Sequence, residues 1–253
     1  MLRQPDSPPI RQWLESPLGI ALLEKEQAVI DEALDGVFGE HLVQLGWWGK
    51  DAGVVGASRA QHTVRVVCDD QSGDVAADFT RLPFEDDSVD AVLLPHTLDL
   101  VARPHSVVRE AHRVLRSEGH LMILGFKPVG LWGARRLLSR GQFPPGVRNV
   151  IGDRKLRDWL QLLDLRVQQS DRFFFRLPTG RRLGLGGEQW EVFGQRWWPE
   201  LAACYWLQAR KRVSTLTPLR PSWRSRARVV GGIAEPSLRD VLNSDRCTDT
   251  TES

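Results

Sequence analysis

The chain has 253 residues, 42% hydrophobic and 26% charged, with a formal net charge of +2; this is ordinary globular composition, long enough for one large domain. Cys68, Cys204 and Cys247 stand alone, which argues against a disulfide scaffold and against a Cys/His metal motif. The N-terminus MLRQPDSPPI has no apolar signal core, and no uncharged apolar run approaches the ~20 residues of a membrane span, so a reducing, cytoplasmic setting is expected.

Charge is uneven along the chain. Residues 1–126 carry 11 Lys and Arg against 20 Asp and Glu, and residues 127–253 carry 23 against 12. The basic half permits an anionic partner; solvated surface arginines are the simpler reading.

In chain order, Ser16-Pro17 reads as a helix start, with serine as N-cap and proline at the first helical position. Leu18, Leu22, Val29 and Ala33 share a face, with acids between them, and the helix is expected to end near Gly36. Strand-like runs follow at 42–45, 63–67, 75–77, 90–94 and 120–126. The last two are nearly continuous apolar runs, as in strands covered on both faces. Between them Val107, Val108, Ala111, Val114 and Leu115 mark a helix, with Pro104 near its start and Gly119 just past its end. That strand-helix-strand unit predicts parallel strands with a right-handed crossover.

Trp132, Leu137 and Leu138 then oppose Arg135, Arg136 and Arg140 in a short amphipathic piece, either a roof for an acceptor pocket or a surface helix. A helix capped by Asp153 carries Leu156, Trp159, Leu160 and Leu163 on one face. Strands are expected at 166–175 and 202–212, joined by a loop rich in Arg, Gly and Trp. The loop's RRLGLGGE imitates a phosphate loop, but no helix follows it. From residue 213 onward periodicity disappears, and 213–253 reads as a disordered basic and polar tail.

The most specific stretch is Asp78 to Phe126. Asp78, Leu82-Pro83-Phe84, Asp87-Ser88-Val89-Asp90, Arg113-Val114-Leu115, Gly119 and Phe126-Lys127-Pro128 fall in an order and spacing that resembles the class I S-adenosylmethionine (SAM) dependent methyltransferases. The resemblance is to the methyltransferase type 11 domains, in particular a small bacterial branch with a degenerate glycine loop, and covers roughly residues 14–212. It implies an α/β, Rossmann-like fold: a mostly parallel sheet, a C-terminal antiparallel hairpin and helices on both faces. The expected organisation is a helical flank over 1–40, the SAM-dependent domain over 41–212, and the tail.

The resemblance also implies a site at the carboxyl ends of the strands. Asp78 would accept from the adenine amine of SAM, with Phe79 against the base; the alternative is an Asx-turn cap. Asp69 or Asp70 would hold the ribose hydroxyls, or serve as turn residues. Pro95 and His96 follow a strand on the ligand side. His96 is the candidate general base, and a backbone-capping histidine is its alternative; Asp99 is a weaker second candidate. Asp90 lies at the far strand end, in a structural role.

The stretch 44–50 stands where the family has acid-x-Gly-x-Gly-x-Gly. Gly46 keeps the first glycine, Gln44 replaces the acid, Trp48 the second glycine and Lys50 the third, and Gly49 is displaced by one. Either Trp48 turns away and leaves Gly46 and Gly49 facing the ligand, or it blocks the usual pose. Residues 47–77 are also too few for two crossovers with full helices. The function implied is direct methyl transfer from SAM to an unidentified acceptor, a small molecule or an RNA. The alternatives are a non-catalytic binding or regulatory protein of the same fold, and an RNA-binding protein using the basic half.

Overall fold

Ser16 caps the second of two N-terminal helices: its hydroxyl accepts from the Gly19 N–H at 3.2 Å, and Pro17 opens the helix. The two are α1 (Pro8–Leu14) and α2 (Pro17–Asp35). The computed structural model describes residues 8–37, 39–49, 60–68, 73–140, 143–176, 178 and 199–212, all within one compact unit, Met1–Ser214. The expected tail at 213–253, most of the Arg/Gly/Trp loop with Trp190, Trp197 and Trp198, Asp69 and Asp70 lie outside the described residues.

Seven strands follow: β1 (His41–Leu45), β2 (His62–Val67), β3 (Val75–Ala76), β4 (Val89–Pro95), β5 (Leu115–Phe126), β6 (Leu165–Phe173) and β7 (Cys204–Lys211). They form one sheet in the order β3-β2-β1-β4-β5-β7-β6. The first five are parallel, and β7 runs antiparallel to both β5 and β6. Order and direction are those of a Rossmann-like class I methyltransferase, as the resemblance implied. Residues 68–74 alone join β2 to β3, so that crossover has no room for a full helix, in line with the shortened 47–77 region.

Helices cover both faces: among the described residues, α3 (Thr97–Leu100), α4 (Pro104–Val114), α5 (Leu131–Leu138) and α6 (Asp153–Leu162) join α1 and α2. On one face α4 and α6 bury Val107, Val108, Ala111, Leu156 and Leu160 against Val43, Val92, Leu121 and Leu207. On the other, α1 and α2 bury Leu14, Leu22, Ile30 and Leu34 with Leu93, Met122, Leu124 and Trp206. The alternation of strand residues between two buried faces explains the near-continuous apolar runs.

Asp90 closes the foot of the sheet. One carboxylate oxygen accepts from the Glu40 and His41 N–H groups at 2.8 and 2.9 Å, and the other from Arg116 at 3.0 Å. The turn before β4 is tied by Arg113, which forks onto Glu110 and Asp86 and reaches the Leu82 and Phe84 carbonyls at 3.2 and 3.1 Å.

Three local expectations need correction. The buried stripe of α2 runs Leu22, Glu26, Ile30, Leu34, one position round from the expected face, and it includes an acid. Gly119 does not end α4. The helix stops at Val114, Leu115 already pairs with Val89, and Gly119 sits within β5, where a Cβ would come within 2.9 Å of the Asp90 carbonyl. On α5 the polarity is partly reversed: Trp132 is buried, but Leu137 and Leu138 are 81% and 86% exposed. Arg136 instead turns in, donating to the carbonyls of Phe143, Val147 and Arg148, and Arg135 lies over the Phe143 ring. The guanidinium finds partners there that solvent-facing leucines do not need.

Candidate functional site

The registers bring the ends of β1, β4 and β5 level with the start of β7: Leu45 pairs with Val66, Pro95 with Leu124, and Phe126 with Cys204. Gly46 and Gly49 flank the turn after β1 with φ of 94° and 96°, a region that disfavours a Cβ. The loop therefore retains glycine where its backbone bends, although its centre is Trp47-Trp48.

Gln44 is fully buried at the end of β1. Its amide N–H donates to the Gly46 carbonyl at 3.0 Å, and its Oε1 has no hydrogen-bond partner among the described residues. An orphaned buried acceptor carries a desolvation cost that a bound cationic or N–H donor would offset.

Trp48 turns inward, with 1% exposure. Its ring stacks on the His96 imidazole at 4.3 Å between centroids and meets Phe126 edge-on at 6.3 Å. Its indole N–H donates to Glu26 Oε2 at 2.6 Å. Glu26 arrives from the buried stripe of α2, and its other oxygen pairs with His96 Nε2 at 2.7 Å. His96 Nδ1 pairs with Asp99 Oδ2 at 2.9 Å, and that same oxygen accepts from the Phe126 N–H at 3.0 Å. Glu26, His96 and Asp99 are all fully buried. Ion pairs withdrawn this far from water persist only when their hydrogen-bonding capacity is met, and here it is largely met by one another.

Electrostatics follow from that arrangement. Burial alone would push the His96 imidazole down; the Glu26 charge and the hydrogen bonds to Asp99 and Glu26 reverse this and raise it to about 9. Burial raises the Asp99 carboxyl against the pull of His96. At neutral pH His96 is therefore an imidazolium, and it can accept a proton only once Glu26 has moved. Its backbone is left-handed (φ 53°), a conformation that costs about 1 kcal/mol or more and is held in place by its surroundings. Thr97, next in the chain, donates its hydroxyl to the Leu45 carbonyl and so ties the β4 turn to the end of β1.

Away from this cluster, Asp78 is exposed beyond β3. Its Oδ1 accepts from the Thr80 N–H and hydroxyl, both at 2.8 Å, which is the Asx-type turn. Phe79 is buried in the core on the α4 side of the sheet, and Pro95 is buried as the last residue of β4. The structure thus gathers Gln44, Gly46, Trp48, Gly49, Pro95 and His96 at one edge, with Asp78 beyond the neighbouring strands.

Sequence reasoning missed Glu26 and Cys204. Glu26, His96 and Cys204 bring a carboxylate, an imidazole and a thiol, all buried, to within 4.8 Å of one another. They lie on three elements, so no local spacing announces them. Glu26 does occupy the i, i+4 position between Leu22 and Ile30, an acid in an apolar stripe, and that was the available signal.

Among the described residues, several cations of the basic half pair within the protein. Lys211 donates to Asp87 at 2.7 Å and to the carbonyls of His112 and Leu115, and Arg210 pairs with Glu118.

Sheet order, the antiparallel β7 and a glycine turn at the end of β1 define a class I methyltransferase fold. The family model described as a methyltransferase domain matches residues 36–123. The uncharacterized protein YafS of Escherichia coli K12 is 31% identical over 236 residues, 92% of this chain and 91% of that one. A ubiquinone/menaquinone biosynthesis C-methyltransferase, UbiE, of Dinoroseobacter shibae is 35% identical over 108 residues, 42% of this chain and 43% of that one. Among solved structures, a SAM dependent methyltransferase from Archaeoglobus fulgidus superposes with a TM-score of 0.56 at 13% identity, covering 75% of this chain and 94% of that one. The chain belongs to the class I SAM-dependent methyltransferase family and, within it, groups with YafS over nearly its full length.

Proposed function

We propose that this chain transfers a methyl group from SAM to a small-molecule acceptor. The observation that carries this reading is the edge formed by Gln44, Gly46 and Gly49, at the place where the family holds its cofactor. The residues fit the group: Gln44 Oε1 is a buried acceptor in want of a donor, and the two glycines leave bare backbone in the bend. Gln44, Gly46, Gly49, Pro95 and Asp78 would hold SAM. Bound SAM supplies a methyl group already activated by its sulfonium, so the protein's share is alignment and exclusion of water.

The chain's own residues then act as follows. Trp48 and Glu26 cover His96, so α2 has to withdraw before an acceptor reaches the end of β4. Withdrawal takes the Glu26 charge from His96 and lowers its pKa; the Nε2 proton leaves with the Glu26 carboxylate or to solvent, and the neutral nitrogen then accepts a proton from the acceptor. Asp99 holds the opposite nitrogen. A small acceptor is favoured over RNA because Arg210, Lys211 and Arg136 are engaged within the protein.

The same plug favours a second reading, a non-catalytic member in which Trp48 and Glu26 permanently fill the crevice. Titration calorimetry separates the two. Saturable SAM binding, weakened at least tenfold by Asp78→Ala and tightened by Glu26→Gln, supports the enzyme; no heat at millimolar SAM for either wild type or Glu26→Gln supports the binding protein.

A further inference from the structure

Three charged side chains and a thiol meet in an otherwise apolar and aromatic core, where an unpaired charge would be strongly disfavoured. Glu26 comes from α2, His96 from the turn after β4, and Cys204 from the first position of β7, and their ligating atoms lie within 4.8 Å of one another. We propose that these three residues form a buried binding site for a zinc-class divalent cation. The proposal does not depend on the methyl-transfer reading: an ion on Nε2 excludes that nitrogen from proton acceptance, so the two uses belong to the metal-bound and the metal-free protein.

The donor set selects the ion. A thiolate, an imidazole and a carboxylate suit Zn²⁺, whereas Mg²⁺ and Ca²⁺ require oxygen-only shells. The separations are near what is needed: arms of about 2.0–2.3 Å in a tetrahedron place donor atoms roughly 3.3–3.8 Å apart. His96 Nε2 and Glu26 Oε1, now 2.7 Å apart, part by under about 1 Å to admit an ion, and the thiol, within 4.8 Å of both, closes by up to about 1.3 Å.

The surroundings orient two of the three ligands. Asp99 Oδ2 binds His96 Nδ1 at 2.9 Å, which keeps the proton on that nitrogen and directs Nε2 toward the site, the carboxylate–histidine arrangement that accompanies metal-bound imidazoles. The Trp48 indole holds Glu26 Oε2 at 2.6 Å and leaves Oε1 facing His96. On binding, the ion displaces the Nε2 proton of His96 and the Sγ proton of Cys204 to solvent. Two carboxylates and one thiolate then face two positive charges. The ion cross-links α2, the turn after β4 and β7, and leaves a fourth coordination position.

The test uses the full chain, stripped with chelator and titrated with Co²⁺ as a spectroscopic substitute for Zn²⁺. The expected result is about one equivalent of Co²⁺ with a near-ultraviolet sulfur-to-cobalt charge-transfer band. The band disappears in Cys204→Ser, and Zn²⁺ affinity falls at least tenfold in Glu26→Gln. Absence of the band in the wild type, or its persistence in folded Cys204→Ser, overturns the proposal. If Cys204→Ser does not fold, the Cys68→Ser/Cys247→Ser double variant decides. A retained band there assigns the sulfur to Cys204, and a lost band overturns the site.

Discussion

Replacing Glu26 by alanine removes the acid that joins α2 to the end of the sheet. Two hydrogen bonds go with it, to Trp48 Nε1 at 2.6 Å and to His96 Nε2 at 2.7 Å. Both partners are buried, so neither donor finds water in its place, and the imidazolium is left with Asp99 alone. Breaking a buried pair by deleting one partner costs about 3–5 kcal/mol. For a chain of this size that is a fall in melting temperature of roughly 6–20 °C. Glu26→Gln is milder. Its amide oxygen still accepts from Trp48, and its N–H donates to a neutral His96, so the loss is that of the charge-assisted part, ~1–2 kcal/mol. The assay is urea unfolding at pH 7 in the presence of chelator, followed by far-ultraviolet circular dichroism, with the His96 ring titration read by NMR. The account expects both variants to be destabilised in that order and the His96 pKa to fall in each. A Glu26→Ala loss below about 1 kcal/mol with an unmoved His96 would refute the buried network as described.

Asp90→Ala leaves the Glu40 and His41 N–H groups and Arg116 without their acceptor, and should cost about 1–3 kcal/mol in urea unfolding while SAM affinity stays unchanged. Gly46→Ala forces a side chain to φ 94° and should both destabilise the fold by roughly 1–2 kcal/mol and weaken SAM binding, measurable in one protein preparation. Acid should unfold the chain through its paired carboxylates. Asp90, Glu110 and Asp153 are held below their usual values by backbone and arginine hydrogen bonds that outweigh burial. Folded-state pKa values below the unfolded ones mean their stabilisation is complete above the unfolded values and is lost as pH falls through the folded ones. Melting temperature should therefore decline below about pH 4, with a shallower decline in Asp153→Asn.

The sheet was legible because its signals are local. The apolar runs at 90–94 and 120–126, the helix between them and the Asp78–Phe126 pattern fix order and direction, and every strand boundary but the start of β5, five residues early at Leu115, fell within two residues of its expected place. The interior of the site was less so. Trp48, Glu26, the His96–Asp99 pair and Cys204 converge from four places in the chain, and which of them touch depends on how α2 rolls on the sheet. That roll is set by a stripe that includes an acid, which a hydrophobic pattern assigns to the outside. Gln44 could be placed beside the glycine turn in advance because it lies at the end of a strand whose register the pattern fixed, whereas Asp78 lies past the end of β3 in the Asx-type turn that was its alternative reading. The reversal on α5 had a similar origin: Arg136 finds three carbonyls that only the folded chain brings within reach.

The most direct test of the account is hydrogen exchange of the full chain with and without saturating SAM. The account predicts slower exchange at residues 44–49 and around Asp78, together with faster exchange along α2 as Glu26 leaves His96. Unchanged exchange in all of these segments, at SAM concentrations up to millimolar, would contradict it.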